Sequence, residues 1–83
     1  MQDVVTTYIV YKHTNKINHK VYIGITYHGD NPNLRWRNGY GYESNPKFFS
    51  DIIQYGWINF EHEILESNLT IAEASIKETE YIR

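Results

Sequence analysis

The chain has no cysteine. This absence excludes disulfide bonds and thiolate metal sites, and it is compatible with a reducing cytosol. The sequence also lacks a charged and then apolar leader, and no apolar run approaches the ~20 residues of a membrane span. We therefore expect a soluble, cytoplasmic protein with no membrane partner.

A positive excess is missing as well, because ten acidic residues outnumber eight lysines and arginines and give a formal charge of −2. This balance argues against a large nonspecific nucleic-acid surface, which usually carries a positive excess. The basic residues are nevertheless concentrated in the first half of the chain, so one face of the fold could still be basic. They include Lys12, Lys16, Lys20, Arg35, Arg37 and Lys47.

With 83 residues there is room for one domain and one modest core, so residues 1–83 are predicted to fold as a single unit. Residues 7–13 and 20–26 are rich in Tyr, Val, Ile and Thr, and the polar stretch TNKINH separates them. This pattern predicts an antiparallel hairpin with a short loop.

Two tyrosines share one face of that hairpin, because side chains alternate along a strand. If the turn is centred near Lys16 and Ile17, Tyr11 lies opposite Tyr22. Gly24, on the same face, would let the backbone or a helix approach closely.

Helix signals follow the hairpin. A short helix is predicted from Asn33, broken by Gly39, and a second begins with Asn45 as its cap and ends at Gly56 in the left-handed conformation. Residues 59–65 alternate as a third strand.

A last helix is predicted to run to the end of the chain from a capping box formed by Thr70 and Glu73. Its apolar side contains one misfit, Glu78. A carboxylate there should be paired, bound to a metal, or placed at the rim of a cleft. The predicted side consists of Ile71, Ala74, Ser75, Glu78, Tyr81 and Ile82.

Two facing tyrosines, an arginine after the hairpin and one acid on a helix suit metal-assisted phosphodiester hydrolysis. A divalent cation polarises a phosphate oxygen, a guanidinium neutralises charge on the phosphorus, and a phenol orients the attacking water. Because tyrosine has a pKa near 10, it needs a nearby cation to act as a base at neutral pH.

The sequence resembles the GIY-YIG nucleases. IVY at Ile9 to Tyr11, TNKIN, and YIG at Tyr22 to Gly24 are similar to the family signature, with Ile9 in place of its first glycine. RW at Arg35, the segment YGWINFEHEIL and the closing KETEYI extend the likeness over nearly the whole chain.

The resemblance implies an α+β domain with a three-stranded antiparallel sheet flanked by helices, and metal-dependent cleavage of DNA. Tyr11 and Tyr22 would be the motif tyrosines, Arg35 the phosphate-binding arginine, and Glu78 the sole protein ligand of Mg²⁺ or Mn²⁺. Glu80 is the alternative metal ligand, and Arg37 the alternative arginine. The family's histidine after the arginine is missing, and Tyr40, Tyr42 or His13 could compensate.

Contacts to DNA are expected from Arg37, His13, Asn15 and Lys12. For Asn15 the alternative is a role in shaping the hairpin loop, and for His13 a structural role. A DNA partner would associate the protein with the nucleoid if the source is a bacterium or a phage. Without a cap at Arg83, the chain could be the catalytic part of a longer protein, with a DNA-recognition domain or a partner chain.

Two readings compete with the endonuclease. One is an accessory DNA-binding module of the same fold that cleaves weakly or not at all. The other is a structural interaction domain, which would require the tyrosines to be buried away from any cleft.

Overall fold

A three-stranded antiparallel sheet forms the centre of the structure, a computed structural model that describes residues 6–82. The strands are β1 (Tyr8–Asn15), β2 (Val21–Thr26) and β3 (Phe60–Leu69), and β1 lies between the other two. The predicted class, an α+β fold with such a sheet and helices, is confirmed at this level. Arg83, where no helix cap is predicted, lies outside the described residues.

The register of the hairpin differs from the prediction. Tyr11 pairs with Gly24, and Tyr22 pairs with His13. The turn is displaced because the side chain of Asn15 accepts hydrogen bonds from the amides of Ile17 and Asn18, which places the loop after Asn15. The pairing is shifted by two residues, which preserves the alternation of side chains. Tyr11 and Tyr22 therefore still share a face as diagonal neighbours.

Within residues 6–82, three α-helices accompany the sheet, and their starts follow the predicted signals. They are α1 (Asn33–Trp36), followed by a 3-10 helix at Arg37–Tyr42, then α2 (Pro46–Tyr55) and α3 (Ile71–Ile82). The first helix ends before the predicted break at Gly39, because Arg37 and Asn38 already have left-handed φ values of 48° and 54°, and Gly39 follows with 98°. The Asn45 side chain caps α2 by accepting from the Phe48 amide, and Thr70 and Glu73 form the capping box of α3.

Two element ends are not as predicted. β3 continues to Leu69, four residues beyond its expected end, because it keeps pairing with the central strand through irregularities near Val10. Gly56 after α2 does have a positive φ of 85°, but its ψ of 136° is not that of the left-handed helix. Glycine adopts this positive-φ conformation more readily than other residues, and a 3-10 turn at Trp57–Asn59 follows directly.

The predicted apolar side of α3 is largely wrong as a description of burial. Ala74 alone is fully buried in that helix, whereas Ile71, Tyr81 and Ile82 are exposed. The helix contacts all three strands, and the residues it keeps from solvent are Ala74 with the half-buried Lys77 and Glu78. Small and polar groups thus occupy the side that the sequence pattern assigns to larger apolar residues.

Aromatic side chains dominate the core, which lies on the face of the sheet that carries Tyr11. Its buried members are Ile9, Tyr11, Tyr42, Ile52 and Phe60, and half-buried rings from α1, α2 and the Trp57 turn complete it. Trp36, Trp57 and Phe60 belong to this group.

The longest helix among residues 6–82 has twelve residues, and none of the helices there combines the length and apolar character needed to cross a membrane.

Candidate active site

Both motif tyrosines emerge from the same face of the hairpin, but they differ in burial. Tyr11 is 1% exposed, whereas Tyr22 is half-buried. A glycine is needed at position 24 because the Tyr11 ring lies across it: a Cβ added there would stand 2.5 Å from the Tyr11 hydroxyl oxygen. The predicted close approach at Gly24 is therefore made by a side chain and not by backbone or a helix.

Tyr11 belongs to a chain of hydrogen bonds that continues through Tyr42, His13 and His62, here called the buried network. The Tyr42 hydroxyl donates to the Tyr11 oxygen over 3.0 Å. His13 Nε2 lies 2.7 Å from the Tyr42 oxygen, and His13 Nδ1 lies 2.8 Å from His62 Nδ1. Since Tyr42 donates to Tyr11, His13 must donate from Nε2 and accept at Nδ1 from His62.

His13 is fully buried inside this network, at 0% exposure. Burial, followed by the charges of His62 and Arg35, lowers the pKa of His13 to about 3. The ring is therefore neutral at physiological pH. Neutrality agrees with the hydrogen bonds, because an imidazole that donates at one nitrogen and accepts at the other carries a single proton. Both nitrogens are engaged, so the expected contact of His13 with DNA is not possible in this conformation.

The two buried phenols are held in their neutral form. Burial raises the pKa of Tyr11, while the hydrogen bond from Tyr42 and the charge of Arg35 oppose that rise. Burial and the nearby Tyr11 raise the pKa of Tyr42 further. Neither hydroxyl is poised to act as a base near neutral pH without a further cation.

Tyr22 is the motif tyrosine that reaches solvent. Its ring stacks on Phe48 with centroids 4.2 Å apart and meets the Tyr42 ring edge to face. Its hydroxyl has no hydrogen-bond partner among residues 6–82, so it is free to contact water or a phosphate. The stacking fixes the ring, which is what an orienting group requires.

Arg35 approaches the same cluster from α1. Its guanidinium carbon lies 4.5 Å from the centre of the Tyr42 ring, a cation–π contact. The Nη1 group also donates to the carbonyl oxygen of Gly41. A glycine is needed at position 41, because a Cβ added there would collide with the carbonyl oxygen of Arg35. Backbone and ring together hold this charge beside the tyrosines.

Glu78 lies half-buried on α3. Its carboxylate forms no ion pair or hydrogen bond within the described part of the chain, but its negative charge contributes to raising the pKa of Tyr11 after burial and Tyr22. Glu80, the alternative metal ligand, is exposed and pairs with Lys77 over 3.9 Å. Of the two acids, Glu78 is the one whose charge acts on Tyr11. Tyr22, Arg35 and Glu78, all half-buried, are called the rim below.

The candidate site offers a metal ion one carboxylate, that of Glu78. Residues 6–82 contain no group of three or more histidine, aspartate and glutamate side chains placed to hold an ion. A single carboxylate still fits Mg²⁺, which keeps several waters and commonly takes its remaining ligands from substrate phosphates. The Glu78 carboxylate, which has no partner among residues 6–82, is compatible with that use.

The other residues predicted to contact DNA lie in three different environments. Lys12 alternates with Tyr11 and His13 along β1, so it projects from the opposite face of the strand. Arg37 is exposed beside Arg35, with a left-handed φ of 48°. Asn15 is 1% exposed, and its Oδ1 is used by the hairpin turn.

Sequence reasoning missed His62 as a member of the buried network. Its ring stacks on Trp57 with centroids 4.2 Å apart, and burial with the charge of Lys16 lowers its pKa. The pairing of His62 with His13 across β1 and β3 joins residues 49 positions apart. Only the alternation of β3, with Phe60 and His62 on one side, carried a signal for it.

Comparison with protein-family models, with curated proteins and with solved structures finds no match to this chain.

Proposed function

We propose that this chain is a GIY-YIG-type DNA endonuclease that hydrolyses phosphodiester bonds with the help of a divalent cation, Mg²⁺ or Mn²⁺. The observation that carries the proposal is the gathering of Tyr11, Tyr22 and Arg35 around Tyr42, with the charge of Glu78 acting on Tyr11. These are the four residues that the sequence resemblance assigns to the reaction.

Glu78 would hold the cation through its carboxylate. The bound cation would polarise a phosphate oxygen and lower the pKa of a coordinated water. Because Glu78 has no competing cationic partner among the described residues, its charge is available for that purpose.

Arg35 would neutralise the charge that grows on the oxygens around the phosphorus. Its guanidinium is permanently charged, and the Gly41 carbonyl and the Tyr42 ring hold it before substrate arrives. A donor fixed in advance costs little reorganisation during the reaction.

Tyr22 would orient the attacking water, since its hydroxyl is the one without a partner among residues 6–82. Tyr11 would act indirectly. Its hydrogen bond with Tyr42 would fix the Tyr42 ring, which in turn contacts the Arg35 guanidinium. This division of roles follows from burial. Tyr11 is 1% exposed, so its hydroxyl has little access to water.

The test is nicking of supercoiled plasmid by the wild type and by Glu78→Gln, in Mg²⁺ or Mn²⁺ and again with EDTA. We expect EDTA to stop the reaction and Glu78→Gln to slow it about a hundredfold or more, since a metal's electrostatic effect amounts to several kcal/mol. Glu80→Gln is the matched control and should nick like the wild type. Equal nicking by all three proteins, or nicking that persists in EDTA, would contradict the proposal.

The near-complete burial of Tyr11 favours a second candidate, a DNA-binding module that does not cleave. That candidate predicts DNA binding by a folded wild type that leaves plasmid intact in both cations.

A further inference from the structure

A pocket of about 360 Å³ lies between the hairpin turn and the start of α2. Tyr22 and Phe48, the stacked pair, form part of its wall, so it adjoins the candidate active site through Tyr22. Its volume is that of a small-ligand site. Three charged side chains also line it, and they are Lys20, Lys47 and Asp51.

Asn15 contributes a buried donor to this pocket. Its Oδ1 accepts from the amides of Ile17 and Asn18, which fixes the orientation of the side-chain amide. The other end, Nδ2, is buried and has no partner among the described residues. Buried polar groups almost always have a partner, and Asn15 is part of the pocket lining.

The start of α2 adds further attraction for an anion. Asn45 satisfies the amide of Phe48 with its side chain and that of Phe49 with its carbonyl, and Pro46 has no amide hydrogen. The Lys47 amide remains without a partner within residues 6–82. Amides at the start of a helix favour negatively charged groups, and the helix has ten residues.

The formal charge of the lining is +1, from Lys20 and Lys47 against Asp51. One buried side-chain amide, two ammonium groups and a helix start together suit a compact ligand with several acceptor oxygens. Phosphate has this chemistry, and so does a phosphodiester of a nucleic-acid backbone.

We propose that this pocket binds a backbone phosphate of DNA next to the one that is cleaved. The identity of the ligand rests on the proposed function, because the shared wall at Tyr22 makes the pocket an extension of that site. The pocket would position the strand and would not take part in the chemical step.

The test is the affinity of a fluorescein-labelled DNA oligonucleotide, measured by anisotropy in EDTA at several salt concentrations. Lys20→Ala and Lys47→Ala should each weaken binding about threefold to fivefold, the range of an exposed charge pair. Each should also reduce the salt slope by about 0.9. Asp51→Asn should tighten binding, and Lys77→Ala, which changes a lysine on α3 outside the pocket, is the matched control.

A second measurement follows the Asn15 side-chain amide by NMR while DNA, inorganic phosphate or a deoxynucleoside monophosphate is added. DNA should shift this amide at concentrations where the two small phosphates do not. If either small phosphate acts as strongly as DNA, the pocket is a site for free phosphate or nucleotide, and the assignment to the backbone is overturned. Lysine variants that bind DNA like Lys77→Ala overturn it as well.

These readouts need no cleavage, so the two proposals can fail separately. A protein that leaves plasmid intact but shows the pattern of Lys20, Lys47 and Asp51 variants keeps the phosphate site and loses the nuclease. A protein that nicks plasmid, but whose pocket variants all bind DNA with unchanged affinity, keeps the nuclease and loses the phosphate site.

Discussion

The buried network and the rim contain the same kind of residue, a motif tyrosine, in two different environments. Tyr11 in the network is enclosed and hydrogen-bonded, whereas Tyr22 at the rim is half-buried and its hydroxyl has no partner among residues 6–82. The network can stabilise the fold because its polar groups satisfy one another. The rim can contact substrate because its three side chains are only half-buried. Two similar residues therefore have separable roles.

The largest expected effect comes from Gly41→Ala, which alters the attachment of the rim to the network. The new Cβ would collide with the Arg35 carbonyl oxygen, so the backbone must move. We expect the free energy of unfolding to fall by about 3 kcal/mol, the upper end for overpacking, and Arg35 to leave the Tyr42 ring. Chemical denaturation checks the first effect.

Gly29→Ala serves as the control for Gly41→Ala, because its Cβ would meet only the Ile9 side chain at 3.1 Å. Equal stability of the two variants would show that Gly41 does not constrain Arg35.

A smaller loss is expected from Tyr42→Phe, which removes one hydroxyl from the centre of the network. Tyr11 would lose its donor and His13 the acceptor for Nε2. Leaving such buried groups unsatisfied should cost about 2 kcal/mol of unfolding free energy. Tyr40→Phe, at a tyrosine that is 59% exposed, should cost nearly nothing in the same denaturation experiment. A tolerated Tyr42→Phe would mean that the network does not stabilise the fold.

The network should also make stability depend on pH. Because the folded pKa of His13 is about 3 and its ordinary value is 6.5, the unfolded chain binds more protons between these values. Stability is therefore complete above pH 6.5 and is lost as the pH falls toward 3, at up to about 1.4 kcal/mol per pH unit.

The titratable and charged groups that face His13 are His62, Tyr42, Tyr11, Tyr22 and Arg35. Arg35 keeps its charge and the tyrosines stay neutral in this range, while the lowered pKa of His62 acts in the same direction as that of His13. Denaturation of the wild type and of His13→Gln at each pH isolates the effect of His13. Parallel curves for the two proteins would contradict it.

The hairpin, the capped start of α2 and the capping box of α3 were predictable because their signals are local. Asn45 before Pro46, and Thr70 three residues before Glu73, act within one turn of helix. The register of the hairpin was less accessible, because it depends on one Asn15 side chain that competes for the turn amides.

The division between network and rim could not be predicted from the strands. Alternation places Tyr11 and Tyr22 on one face, but burial depends on Trp36 at the end of α1 and on Tyr42 in the 3-10 helix that follows. The contact of His13 with His62 likewise depends on how β3 pairs with β1. Residues far apart in sequence decide both, and local patterns do not contain that information.

The most direct measurement is the plasmid nicking rate of Tyr22→Phe beside that of Tyr11→Phe, each with its unfolding free energy determined. We predict that Tyr22→Phe changes stability by less than about 0.5 kcal/mol and slows nicking about a hundredfold, the lower range for a group acting on a proton or a water. Tyr11→Phe should lose stability, and nicking by its folded fraction should be less affected. Wild-type nicking by Tyr22→Phe, with loss of nicking by a stable Tyr11→Phe, would contradict the account.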